Sequence, residues 1–218
     1  MKIIGLTGGI ASGKNFVANI LAKSGAAIFD ADAEVHEILV NDKALIAKLG
    51  KLFPQSLVER KGESEEKLAA QKLAQEAKII QEIDRKILGK IVFADAEKLK
   101  ILEDIIHPIL RKKYDEFLEK SRQENRKILV LNIPLLLEKQ GYECDKIISL
   151  LIPPSLQKRR FFSRRKNESK QELEKKFKRI VQFQLSNEER KKKSDFVIYT
   201  RFSKAKTVEQ VKKILQKL

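Results

Sequence analysis

The hydrophobic pattern changes period twice within the first thirty residues. Ile3-Ile4-Gly5-Leu6 is a short apolar run of the kind a doubly covered strand shows, and it feeds straight into a glycine-rich turn. Phe16, Val17, Ile20 and Leu21 then recur at helical spacing, with Gly25 available to stop the helix. Ala26-Ala27-Ile28-Phe29 predicts a second buried strand, ending at Asp30-Ala31-Asp32. Helical patterns dominate from Glu34 to about Asn125. Within them Glu63–Glu82, rich in Glu, Lys, Ala and Gln with apolar residues at Leu68, Leu73, Ile79 and Ile80, predicts a solvent-facing amphipathic helix.

Three more apolar runs follow. Ile128–Leu131 is interrupted by Pro134, Lys146–Ile152 is halted by Pro153-Pro154, and Phe196–Tyr199 is short. Between and after them, Gln157–Asn187 predicts two charged helices and Thr207–Leu218 a closing one. Five short apolar strands separated by helices predict an α/β fold with a five-stranded parallel sheet and helices on both faces. Ligands of such sheets bind beyond the carboxyl ends of the strands. The glycine-rich turn, the Asp30/Asp32 pair and Asn132–Glu138 all fall there.

The turn itself carries the first chemistry. Gly8-x-x-x-x-Gly13-Lys14 has P-loop spacing, preceded by a strand and followed by a helix as phosphate binding requires. Backbone N–H groups from Gly9 to Asn15 would point at phosphate oxygens, Lys14 would add a positive charge, and the helix would aim its positive end at the same place. Gly8, Gly9, Ile10, Ala11, Ser12, Gly13, Lys14, Asn15 and Phe16 are therefore the candidate nucleotide-binding residues. Asn15 stands where the motif has a Ser or Thr hydroxyl for Mg2+. An amide oxygen can ligate the ion or hold one of its waters, through a bulkier arm.

Charge adds a second constraint. The 46 Lys and Arg against 30 Asp and Glu leave a net charge of +16, which points to an anionic partner: nucleic acid, or a densely phosphorylated small substrate. Much of the excess lies in Gln157–Lys193, with several arginines at helical spacing. There is no Trp, and the aromatics do not interleave with the basic stretch as a single-strand stacking platform needs. No segment approaches the roughly 20 apolar residues of a membrane span. With no leader pattern, one cysteine (Cys144) and no Cys/His spacing for zinc, a soluble, cytoplasmic protein is expected.

Nearly end to end, the chain resembles the dephospho-CoA kinases, P-loop enzymes that phosphorylate the ribose 3′-hydroxyl of dephospho-CoA to complete coenzyme A. The resemblance rests on Gly5-Leu6-Thr7-Gly8-Gly9-Ile10 with Ser12-Gly13-Lys14, Asp30-Ala31-Asp32, Asp84-Arg85, Leu88-Gly89-Lys90-Ile91-Val92-Phe93 and Ile106-His107-Pro108. It continues through Pro134-Leu135-Leu136 with Glu138, then Gln157, Arg160, Arg164, Arg179-Ile180 and Gln184, and Asp195-Phe196-Val197-Ile198. It implies a three-layer P-loop NTPase core over about 1–31, 126–154 and 194–218. A helical acceptor-binding region over about 32–125 and a lid-like helical region over about 155–193 would complete it.

The same resemblance assigns roles. Asp32 matches the family's catalytic aspartate, which accepts the proton of the attacking hydroxyl; Asp30 reads equally as a helix N-cap. Arg160 and Arg164, four residues apart, would share a helix face and meet the transferring phosphoryl group, against the plainer reading of a solvated basic helix. Arg85, His107 and Pro108 would join Asp32 on the acceptor side, although a histidine before proline often only caps a helix and packs, with no ligand role. Glu138 would shape the crevice, orienting a metal-bound water or an acceptor contact. ATP and Mg2+ are the implied cofactors and dephospho-CoA the acceptor, with no membrane or specific nucleic-acid partner and the oligomeric state open. The chain departs from the family at Asn15 and Phe16, where Ser and Thr are usual, at Tyr199-Thr200, where Asp-Asn is usual, and in Glu63–Glu82. Two alternatives stand beside this reading: another P-loop nucleoside or nucleotide kinase, and a non-catalytic nucleotide or nucleic-acid binder.

Overall fold

The structure is a computed structural model that describes residues 1–61, 79–138, 141–165 and 168–218. The first half runs β1 (Lys2–Gly8), α1 (Lys14–Lys23), β2 (Ala27–Asp30), α2 (Ala31–Asn41), α3 (Lys43–Leu52), a 3₁₀ turn at Pro54–Ser56, β3 (Leu57–Lys61), β4 (Ile79–Ile83) and α4 (Arg85–Val92). The second runs α5 (Ala96–Gln123), β5 (Ile128–Asn132), β6 (Lys146–Leu151), α6 (Pro154–Ser163), α7 (Lys170–Val181), α8 (Asn187–Lys192), β7 (Phe196–Tyr199) and α9 (Lys204–Leu215). It divides into two compact units: Met1–Ala31 with Tyr114–Leu218, and Asp32–Lys113.

In the first unit all five expected strands form one parallel sheet of order β2-β5-β1-β6-β7. Alternation along β1 sends Ile4 and Leu6 to one face, where Val17, Ala18 and Leu21 of α1 and Val211 and Ile214 of α9 cover them. Phe29 of β2 faces the other way, edge-on to Tyr114 and beside Phe117, both on α5. Side chains enclosed to this degree contribute roughly 1.5–3 kcal/mol each, which is why short strands suffice. Because β1 lies between β5 and β6, the chain crosses over at its centre, and the loop after β1 opens at the topological switch point.

The second unit differs from its sequence pattern. Most of the amphipathic helix expected over Glu63–Glu82 lies outside the described residues, but its end, 79–82, falls instead in β4, paired antiparallel with β3 from Leu57↔Ile83 to Lys61↔Ile79. Cross-strand pairing outweighs the weak helix preference of Ile-Ile-Gln-Glu-Ile. Asp42 caps α3 by accepting from the Leu45 N–H at 3.0 Å, and Asp84 caps α4 from Lys86 and Ile87 at 2.8 and 3.0 Å. The 28-residue α5 carries Pro108 inside it, so neither His107 nor Pro108 marks a helix end.

Candidate active site

The loop between β1 and α1 has the backbone of an anion cradle. Gly13, the N-cap of α1, has φ 94°, and no side chain caps the helix there. A helix N-terminus presents backbone N–H groups and a positive dipole end that suit phosphate. Ala11 adopts φ 58°, a left-handed conformation uncommon for a residue with a Cβ and typical of strained ligand loops. A Cβ on Gly8 would lie 2.9 Å from Leu150 Cβ and 3.2 Å from the Leu150 carbonyl oxygen, so only glycine lets the loop leave β1 this close to β6. It would also lie 2.7 Å from Ser12 Oγ, a buried hydroxyl that has no hydrogen-bond partner among the described residues.

Lys14 is held from the sheet side. Its Nζ donates to Asn132 Oδ1 at 2.7 Å, and Asn132 Nδ2 donates to Asp30 Oδ2 at 2.6 Å. Asn132 and Asp30 are register partners at the carboxyl ends of β5 and β2, which explains how three residues distant in sequence line up. Asn132 is wholly buried, so its amide needs both partners.

A second network lies beneath the loop. Arg190 on α8 is only 1% exposed and pairs through Nη2 with Glu138 Oε1. Its Nη1 donates to Thr7 Oγ1 at 3.2 Å and its Nε to the Leu185 carbonyl at 3.2 Å. Thr7 Oγ1 donates to the Pro134 carbonyl at 2.9 Å, while Glu138 Oε1 also accepts the Leu185 N–H at 2.9 Å. Burial lowers the Arg190 guanidinium from its ordinary value, and the Glu138 charge opposes that shift. One residue before Leu185, Gln184 accepts the Ile10 N–H at 2.9 Å, directly on the loop.

The other candidates are placed as follows. Asn15 is exposed on the first turn of α1. Phe16 beside it lies 5.8 Å from Lys204 Nζ, at the start of α9. Arg160 Nη2 donates to the Thr200 carbonyl at 2.7 Å, after β7. Its guanidinium is lowered from its ordinary value by burial first and by Arg164 and Arg159 next. Arg164, expected on the same helix as Arg160, is the C-cap just beyond α6 and is exposed. In the other unit, Asp32 is exposed in the first turn of α2, Arg85 opens α4, and His107 and Pro108 are exposed within α5. Cys144 is a packing residue: a Cβ on Gly5 would lie 3.0 Å from its sulfur, and burial followed by Asp145 pushes the thiol up to about 11.

A P-loop with these supports serves many kinases, and the whole-chain comparisons separate them. The dephospho-CoA kinase family profile matches residues 2–204. The chain belongs to the dephospho-CoA kinase family. Two relatives named dephospho-CoA kinase are each 36% identical to it. The one from Bartonella quintana aligns over 100% of this chain and 98% of its own, and the one from Wolbachia pipientis over 99% and 97%. Among solved structures, a dephospho-CoA kinase from Campylobacter jejuni matches at 29% identity and TM-score 0.61, covering 99% of this chain and 96% of its own. A Thermus thermophilus protein matches at 29% and TM-score 0.74, covering 100% and 97%. The α/β P-loop architecture and the kinase expectation therefore stand.

Two residues of this dephospho-CoA kinase family member were not singled out by sequence reasoning. Arg190 sits in Arg190-Lys191-Lys192-Lys193, where nothing distinguishes a buried guanidinium from its solvated neighbours. The only signal is the preceding capping box of Ser186 and Glu189, which starts α8 and so fixes which side Arg190 faces. Asn132 had a better one: it is the polar residue that ends an otherwise apolar strand at the binding edge. Glu138, expected to shape the crevice and to orient a metal-bound water or an acceptor contact, is engaged through Oε1 with Arg190 and Leu185.

Proposed function

We propose that the loop of Gly8–Lys14 binds ATP and that its γ-phosphoryl group passes to the ribose 3′-hydroxyl of dephospho-CoA, giving coenzyme A and ADP. The observation that supports it most is the uncapped N-terminus of α1 beside a lysine held at the sheet's carboxyl edge, in a chain matching the family over its length. In this reading the Asp32 carboxylate takes the proton of the 3′-hydroxyl. That oxygen attacks the γ-phosphorus, and the bond to the β–γ bridging oxygen breaks with its electrons leaving on ADP. Lys14 and the loop N–H groups hold the phosphates, and Arg160 and Arg164 neutralise charge on the transferring group. Arg85, His107 and Pro108 hold the acceptor. The region of about 32–125 serves acceptor binding and that of about 155–193 serves as a lid.

Mg2+ belongs to the same reading. Among the described residues no group of three or more His, Cys, Asp or Glu could hold a metal. The exposed Asn15 amide oxygen suits a hard ion that keeps several waters and takes its other ligands from phosphate. When bound, the ion supplies neutralisation of the phosphate charge. A cytoplasmic setting is part of this reading too. It is supported by a single cysteine used for packing, and among the described residues no helix is long and apolar enough to cross a membrane.

The test is ADP release from MgATP with and without dephospho-CoA, with coenzyme A identified by mass. Acceptor-dependent turnover is expected, and Asp32→Asn should lower kcat by about 10²–10⁴-fold with ATP affinity retained. Turnover of a nucleoside in place of dephospho-CoA, or an unaffected Asp32→Asn enzyme, would refute the assignment.

A further inference from the structure

The Glu138–Arg190 network has an unusual economy for a buried ion pair. Such pairs stabilise a fold poorly unless every lone pair is satisfied, and apolar substitutes of similar volume often do as well. Among the described residues the buried Glu138 Oε2 has no hydrogen-bond partner, so the pair as described is not optimised for stability. What it does with its satisfied atoms is hold both backbone polar groups of one residue, Leu185. Glu138 takes the Leu185 N–H, and Arg190 Nε donates to the Leu185 carbonyl. The neighbouring side chain, Gln184, then presents its carbonyl oxygen to the Ile10 N–H of the phosphate loop. Arg190 also reaches Thr7, the residue before Gly8, so both flanks of the loop's first half meet the network.

The loop accommodates this contact by design of its backbone. A Cβ on Gly9 would lie 3.2 Å from Gln184 Oε1 and 2.6 Å from Gln157 Nε2. Gln157 lies on α6 and Gln184 just beyond α7, so the beginning and the end of this helical pair each set a glutamine amide against Gly9.

We infer that Glu138 and Arg190 are positioning residues for ATP: by clamping Leu185 they hold Gln184 against the Ile10 N–H and so tie the shape of the phosphate loop to the base of the α6–α7 segment. The inference rests on the reading of this loop as the ATP site. Neither residue touches substrate; they act through Gln184 and Thr7.

A double-mutant cycle on the full chain tests it, with MgATP affinity read by calorimetry and KM for both substrates read by turnover. Gln184→Ala and Glu138→Gln should each weaken MgATP binding about tenfold, the worth of one well-placed hydrogen bond. KM for dephospho-CoA should stay within about twofold. If Glu138 acts through Gln184, the double variant is no worse than the weaker single one; a product of the two effects overturns the inference. Equal losses for both substrates, or singles with wild-type MgATP affinity, overturn it as well. Arg190→Lys, which keeps the charge but loses the fork, gives a second entry to the cycle should Glu138→Gln fail to fold. Wild-type protein that binds MgATP but ignores dephospho-CoA would defeat the functional assignment while leaving the cycle readable in binding. Wild-type protein that does not bind MgATP would defeat both.

Discussion

At the residue scale, Asn15 is the position where this chain departs most visibly from the P-loop pattern. A serine hydroxyl is a compact ligand, whereas the Asn15 amide is longer and carries two donors that compete for phosphate oxygens. Asn15→Ser should therefore lower the Mg2+ concentration for half-maximal activity several-fold, on the order of 1 kcal/mol, with kcat at saturating Mg2+ changed little. The check is a Mg2+ titration of both proteins at fixed ATP; superimposable curves would mean that Asn15 has no part in holding the ion. Much of the loop was legible because glycine spacing reports backbone needs directly: Gly8 fits against Leu150 and Gly13 takes a positive φ. Arg190 was not legible, since burial is a property of the packed helix and not of a run of four basic residues.

At the scale of elements, α6 and α7 are joined by an aromatic cluster that lies apart from the sheet's core. Phe161, fully buried, lies 5.4 Å from Phe177 and 6.1 Å from Phe162, with the Arg165 guanidinium 4.0 Å over its ring. Lys158 and Glu174 link the same two helices by an ion pair. Phe161→Ala should cost about 3–5 kcal/mol. Hydrogen exchange should show α6 and α7 losing protection well before β1, β5 and β6; a uniform loss would mean that the pair has no stability of its own. The five parallel strands could be read in advance because each is a nearly unbroken apolar run. The ribbon of β3 and β4 could not, because Leu57-Val58-Glu59-Arg60-Lys61 and its partner mix charge with apolar residues and the flanking composition favours helix. Its pairing is a tertiary choice that local periodicity does not record.

For the whole molecule the dominant fact is a net charge of +16. Self-repulsion of that size opposes folding, and salt screens it over a Debye length of about 8 Å at physiological ionic strength. The melting temperature should therefore rise by a few degrees from low to physiological NaCl, corresponding to about 1–2 kcal/mol for a chain of this length. A fall on adding salt would mean that the surface ion pairs, such as Lys113 with Glu34 and Glu37, outweigh the repulsion. Against this background of mobile, screened charge, the cation at the phosphate loop is tethered by a group of another kind. Asn132 turns its carbonyl to Lys14 and its amino group to Asp30. A carboxamide neither gains nor loses a proton in the working range of pH. The amide thus passes polarity from the end of β2 to the loop through a group that has no titratable proton of its own. Its grip on the lysine is also one that mild acid cannot titrate away.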